Sequence, residues 1–249
     1  MVKLESFGDS LNVAVVGATG GIGNAVVTAL QDHPKIERVF AFSRRSTNHA
    51  GSPNIVPGHL DLTQEDSIRA AADLAAASGP LHLVFVATGM LHQGSGVQPE
   101  KTWGALTAES MEQAFRINSM GPALIAKHFL PLLAKDQKAV FAALSARVGS
   151  ISDNQLGGWY SYRASKSALN MFLKCSAIEL ARRNASALCI GLHPGTVDTA
   201  LSEPFQRGVP DGKLFPPSLS ADHLLRVIDG LTVEDSGKVF AWDGAEIPS

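Results

Sequence analysis

At 249 residues, with 45% apolar and 18% charged side chains, the chain matches an ordinary globular protein and can form one well-covered core. A formal net charge of −2 lacks the basic excess of a nucleic-acid binder, which leaves a small metabolite as the expected partner. No stretch approaches the roughly 20 apolar residues of a membrane span, and the opening "MVKLESFGDSLNVAVVG" carries no secretory signal pattern, so a cytoplasmic protein without a membrane partner is expected.

In chain order, short β-branched runs alternate with helical patterns, which predicts a parallel sheet covered on both faces. The first unit, "VAVVGATGGIGNAVVTAL", predicts a strand at Leu11–Val16, a glycine-rich turn and a helix at Ile22–Gln31. Glycines at such a turn let backbone N–H groups and the positive helix end approach a pyrophosphate, so Gly17, Thr19, Gly20, Gly21, Ile22 and Gly23 are candidate cofactor residues. The spacing fits both GxxxGxG (Gly17, Gly21, Gly23) and GxxGxxG (Gly17, Gly20, Gly23), and the chain's length favours the first.

A second strand, Val39–Ser43, ends on Ser43, Arg44 and Arg45, where an NAD-binding protein would place Asp or Glu on the ribose hydroxyls. Two guanidiniums beside a hydroxyl suit a 2′-phosphate, so NADPH is favoured over NADH, although solvated loop arginines would look the same. After a third strand at Ile55–Val56, Asp61 could accept from the adenine amino group, with Leu62 beside it; Asp61 is equally a plain residue before a helix, here Gln64–Ala77. A fourth strand, Leu81–Ala87, runs into Thr88 and Gly89. Met90–Ala108 resists assignment, as does Thr199–Leu219 with Pro204, Pro210, Pro216 and Pro217; both are candidate walls of a substrate site, with Met90, Trp103, Phe205 and Phe215 as pocket or anchor residues.

A helix at Met111–Leu133 carries Asn118 within its apolar stripe, where a buried amide needs a partner. A fifth strand, Ala139–Leu144, is followed by Ser145, and a helix at Tyr162–Arg183 by strands at Ala187–Leu192 and Lys238–Ala241. Both tyrosines of the chain lie in "YSYRASK", and Lys166 follows Tyr162 by one helical turn while Tyr160 has Ala164 at the matching place. Leu169, Leu173 and Leu180 continue that stripe, so the Tyr162 and Lys166 heads should face a cleft, where the ammonium is expected to lower the tyrosine pKa. Cys175 and Cys189 lack framework or CxxC spacing and read as reduced core residues, and eight histidines without HxxxH spacing predict no metal site.

GATGGIG, Ser145 after the fifth strand, and YRASK together resemble the short-chain dehydrogenase/reductase family in its single-domain branch, with support from "INSMGP" and "HPGTVDT". The resemblance implies an α/β fold of Rossmann type, a doubly wound, seven-stranded parallel sheet with helices on both faces, as one domain over residues 1–249 with substrate loops near 90–108 and 199–219. It implies that Tyr162 is the acid/base, Ser145 holds the substrate oxygen, Lys166 binds the nicotinamide ribose and tunes the tyrosine, and Asn118 supports a proton relay. Ala87, Thr88 and Gly89 would flank the adenine side, and Pro194, Gly195, Val197 and Thr199 would hold the carboxamide, with His193 satisfied beneath the cofactor. The implied reaction is NADPH-dependent reduction of an aldehyde, ketone or quinone to the alcohol, and the alternative is a non-catalytic dinucleotide-binding redox sensor or signalling protein. "HPGTVDT" and "GKVFAWDG" are similar to C-factor-like and sniffer-like carbonyl reductases, and paired long helices in the family imply a homodimer or homotetramer. Three departures stand out. "VATG" replaces Asn-Asn-Ala-Gly, Gly20 stands where many NADPH enzymes of this branch are basic, and "SDNQLGG" lengthens the stretch between Ser145 and Tyr162, placing Trp159 and Tyr160 near the site mouth.

Overall fold

Alternation along β1 (Leu11–Val16) sends Val13 and Val15 to one face of the sheet and Ala14 and Val16 to the other, and all its residues are buried. The computed structural model describes residues 2–45, 52–92 and 98–249. On the Val13 face pack α1 (Gly21–Gln31), through Val26, Val27 and Leu30, and α6 (Pro217–Gly230), through Leu224, Leu225 and Ile228. On the Ala14 face pack α2 (Glu65–Ala76) through Ile68, α4 (Gly121–Phe129) through Ile125 and Phe129, and α5 (Tyr160–Arg183) through Leu169 and Leu173. Each of these fully buried side chains contributes about 1.5–3 kcal/mol relative to exposure.

The remaining strands are β2 (Ile36–Ser43), β3 (Ile55–His59), β4 (Leu83–Val86), β5 (Ala139–Leu144), β6 (Ala187–His193), β7 (Thr196–Val197), β8 (Leu214–Phe215), β9 (Val239–Ala241) and β10 (Glu246–Ile247). The sheet order is β3-β2-β1-β4-β5-β6-β9-β10, parallel except for the β9–β10 pair. The expected seven parallel strands are present, and the count is corrected by an eighth, antiparallel edge strand and a separate β7–β8 pair. These two-residue strands are too short to carry a periodic signal. β3 continues through Pro57, which an edge strand tolerates because one side of its backbone needs no partner.

The predicted helix at Met111–Leu133 is three pieces: α3 (Ala108–Phe115), a π turn at Arg116–Met120, and α4 with a 3-10 turn at Leu130–Leu132. Pro122 has no N–H to return to residue 118 and its ring would crowd that carbonyl, so the helix widens one turn earlier, with Gly121 N donating to Arg116 O. α6 starts inside the Thr199–Leu219 stretch that resisted assignment, because Pro217 occupies its first turn, where a missing N–H costs nothing. Of the two cysteines, Cys189 is buried as expected, whereas Cys175 is exposed. Strand order reverses between β1 and β4, and their carboxyl ends open the crevice in which the candidate site lies.

Candidate active site

Three of the four turn glycines have a steric reason to be glycine. Gly17 has φ of +90°, a Cβ on Gly23 would lie 2.2 Å from Gly17 O, and one on Gly21 would lie 2.6 Å from Thr199 Cγ2. At Gly20 the nearest atom would be 3.3 Å away, so the geometry selects the Gly17, Gly21, Gly23 pattern. The Gly21 contact also brings the start of α1 against the turn after β7.

The start of α5 is held by Glu100, a buried carboxylate that accepts from Ser161 N at 3.1 Å and from Ser161 Oγ. The N-terminal dipole of α5 favours that charge. Before it, Gly157, Gly158 and Trp159 have φ of 62°, 65° and 49°. The left-handed conformation costs a residue such as Trp159 about 1–2 kcal/mol, opposed here by its N–H donating to Glu100 O. The Trp159 ring stands edge-on to Tyr162, with centroids 6.3 Å apart, and 5.1 Å from Phe205.

Tyr162 and Lys166 share a face of α5, as their spacing predicted, and Ser145 and Asn118 come from β5 and the π turn. Ser145 Oγ donates to Asn170 Oδ1 at 2.6 Å. Asn118 closes a reciprocal pair with the Met90 backbone, receiving from Met90 N at 2.7 Å and donating to Met90 O at 2.8 Å. Lys166 Nζ and Asn118 Oδ1 converge beside Gly89, each 3.7 Å from where a Cβ would stand there. Lys166 Nζ donates to Leu144 O at 2.7 Å and sits 5.8 Å from the centre of the Tyr162 ring.

The expected lowering of the Tyr162 pKa is overturned. Tyr162 keeps part of its surface open to the cavity, yet the phenol lies deep in the protein, and burial pushes its pKa up to about 12. Burial also pushes Lys166 down to about 7, because its ammonium loses solvation. Tyr162 is therefore a protonated acid at neutral pH.

A cavity of about 420 Å³ is lined by Ser145, Tyr162 and Lys166 together with Gly20, Gly21, Ile22, Ala87, Thr88, Gly89, Pro194, Gly195, Val197 and Thr199. Gly17 and Gly23 pack behind it. Arg44 and Arg45 are exposed at the end of β2, and the Ser43 hydroxyl donates to Arg45 O. Asp61 accepts from Thr63 N at 2.9 Å and Thr63 Oγ1 at 2.8 Å; burial opposes its charge, and these bonds with Arg44 outweigh it, holding the carboxyl below its usual range. The Leu62 side chain lies outside the cavity, packed against Gly121. Tyr160 is not among the lining residues. Of the four loop candidates, Phe205 lines the cavity, Met90 does not, Trp103 is 80% exposed, and Phe215 packs beneath Gly195 with Trp242. His193 lines the cavity but is not satisfied, since its Nδ1 has no partner; burial and then Arg147 push its pKa to about 4. Among the described residues no group of His, Cys, Asp or Glu could hold a metal, and no helix is long and apolar enough to cross a membrane.

These residues fit a nicotinamide dinucleotide. Thr88 Oγ1 and His193 Nδ1 are buried polar atoms without partners, each costing about 1–3 kcal/mol until one is supplied, and both residues line the cavity beside the glycine cradle. Two residues escaped the sequence reading. Asn170 stands four places beyond Lys166, so the same i, i+4 rule would have found it; Glu100 had no local signal, because its partner lies 61 residues away.

The sequence profile of the short chain dehydrogenases matches residues 11–209, and the chain belongs to that family. It is 37% identical to the C-signal of Myxococcus xanthus over 145 residues, covering 58% of this chain and 82% of that relative. The structure of NADPH-bound carbonyl reductase from chicken fatty liver is similar with a TM-score of 0.80 at 26% identity, covering 100% of this chain and 99% of that one. The carbonyl reductase Sniffer of Drosophila melanogaster gives 0.80 at 23% identity, covering 97% and 99%, a likeness that speaks for the fold alone. These matches bear out the resemblance carried by GATGGIG, Ser145 and YRASK.

Proposed function

We propose that this protein is an NADPH-dependent carbonyl reductase that converts an aldehyde, ketone or quinone to the alcohol. The observation that carries the reading is the convergence of Ser145, Tyr162 and Lys166 with the Gly20–Ile22 turn and the Pro194–Thr199 turn on one cavity. When bound there, the nicotinamide supplies the hydride. Ser145 holds the carbonyl oxygen by turning its hydroxyl hydrogen to it, and Tyr162, a phenol that is protonated at neutral pH, gives it a proton. Lys166 holds the nicotinamide ribose and tunes the tyrosine, while Asn118 keeps the backbone at Met90 in place beside it. Thr88 and His193 gain partners from the cofactor, Pro194, Gly195, Val197 and Thr199 take the carboxamide, and Gly17, Thr19, Gly21 and Gly23 take the pyrophosphate. Exposed Arg44 and Arg45 beside Ser43 suit a 2′-phosphate, and Asp61 with the backbone of Leu62 suits the adenine.

The chain is read as one dinucleotide-binding domain, with residues 90–108 and 199–219 as substrate loops, working in the cytoplasm as a homodimer or homotetramer. The NADPH-bound state of the chicken carbonyl reductase supports the cofactor choice, and its name supports the substrate class. The test is a panel of aldehydes, ketones and quinones offered with NADPH and with NADH. Turnover with NADPH is expected, and Tyr162→Phe should lower kcat by about 10²–10⁴ while NADPH still binds. Undiminished turnover in that variant would remove the mechanism. Tight NADPH binding without turnover of any carbonyl would favour a redox sensor.

A further inference from the structure

We propose that Glu100 is a positioning residue of the substrate cavity: it clamps the turn before α5 so that the Trp159 indole forms a wall beside Tyr162. Glu100 is 4% exposed, and a carboxylate so deeply buried persists only where donors meet it. Its side chain receives Ser161 N and Ser161 Oγ, and its carbonyl receives Trp159 N, so one residue holds both the helix start and the tryptophan before it. From the other side, Arg163 Nε donates to Gly157 O at 3.2 Å and Gly158 O at 3.0 Å. Three consecutive left-handed residues are thus held between the Glu100 backbone carbonyl and the Arg163 guanidinium, and the Glu100 carboxylate fixes that backbone to the helix start through Ser161. The indole they present meets Phe205 at 5.1 Å, and Phe205 meets His92 at 5.9 Å, whose Nε2 lies 3.0 Å from Ala200 O. Trp159 and Phe205 form one wall of the cavity, with His92 against Phe205, and the clamp fixes where that wall stands relative to the Tyr162 hydroxyl.

The kinetic side of this inference rests on the carbonyl-reductase reading, whereas the structural side does not. The experiment compares wild type with Glu100→Ala and Glu100→Gln by the ratio of kcat/KM for a fused-ring aryl ketone to that for a short aliphatic aldehyde, with NADPH. That ratio is independent of the fraction of enzyme that is folded. Glu100→Ala is expected to change it roughly tenfold, the scale on which a displaced pocket wall alters discrimination, and Glu100→Gln, which still accepts from Ser161, is expected to restore it. In parallel, protein labelled with 5-fluorotryptophan gives one ¹⁹F resonance for each of its three tryptophans, with Trp159→Phe identifying the relevant one. Glu100→Ala should move the Trp159 resonance and leave those of Trp103 and Trp242 in place. If Glu100→Ala does not fold, Glu100→Gln combined with Ser161→Ala replaces it in both arms with the same expectation. An unmoved Trp159 resonance, or an unchanged ratio in a catalytically active protein, would overturn the proposal. A wild type that reduces no carbonyl would overturn the proposed function and leave the ¹⁹F arm to decide the role of Glu100.

Discussion

The hydroxyl of Ser145 has a single hydrogen, and in this protein it is aimed at Asn170 Oδ1. The amide orientation is set from its other end, where Asn170 Nδ2 points at Gly149 O, 3.4 Å away. To hold a carbonyl oxygen, which can only accept, the Ser145 hydrogen must turn away from Asn170, a residue on α5 whose amide keeps the hydroxyl in place until then. Replacing Asn170 by Ala should leave the Ser145 hydroxyl without this anchor and lower kcat on a carbonyl by about 10–100-fold, with NADPH affinity unchanged, because a loosely placed donor loses positioning rather than binding. Steady-state kinetics with an NADPH titration checks this, and an unaltered kcat would show that Ser145 is oriented by other means. The same residue scale explains how much of the site was legible. Tyr162, Lys166 and Asn170 follow at one-turn intervals along α5, and the spacing that singled out the first pair extends to the third. The pKa of Tyr162 was not legible, since spacing places an amine near a phenol but does not record the burial that raises it.

At the scale of elements, the turn between β1 and α1 shows what a glycine pattern means physically. Gly23 lies so close to Gly17 that a methyl group would meet its carbonyl oxygen at 2.2 Å, and neither partner is the flexible end of a side chain. Gly23→Ala should destabilise the fold by about 1–3 kcal/mol through overpacking and weaken NADPH binding, whereas Gly20→Ala, with 3.3 Å available, should be far milder. Chemical denaturation and a cofactor titration on the two variants would settle the order, and equal effects would contradict the packing argument. The break between α3 and α4 teaches a complementary lesson. Periodicity saw one helix because the apolar stripe continues through the π turn, and the proline that interrupts the backbone leaves that stripe intact. Asn118 sits within this widened turn and bonds the backbone of Met90, so one local irregularity joins the helix to the strand end beside the cavity.

For the whole molecule, Lys138 is the tie between distant parts of the chain. Its Nζ, just before β5, lies 2.8, 2.9 and 2.6 Å from Ile228 O, Asp229 O and Leu231 O, capping α6, and 2.8 Å from Ser6 Oγ, so its three N–H groups are shared among four acceptors. Asp229 in turn accepts from Glu5 N and Ser6 N. Burial lowers the Lys138 pKa from 10.5 to about 8, against the pull of Asp229 and Asp235. Between those values the unfolded chain holds a proton that the folded protein has released, so this group's contribution to stability rises as pH increases through that window. Relative to Lys138→Met, in which the Lys166 and Tyr162 contributions cancel, wild type should gain stability between pH 8 and pH 10.5, as measured by denaturant unfolding at several pH values. A gap that stays constant or narrows would contradict the assignment.

Strand and helix order and the Tyr162–Lys166 pair could be read directly, because each rests on a pattern repeated every two or every three to four residues along the chain, and the glycine turn because its spacing is local. β1 and β5 fall where alternation predicted them, and the direction of α5 follows from its leucine stripe. The clamp by Glu100, the aim of Ser145 at Asn170, the neutral tendency of Lys166 and the antiparallel β10 required three-dimensional packing. They depend on contacts between residues far apart in sequence, and on a loss of solvent that no local spacing records.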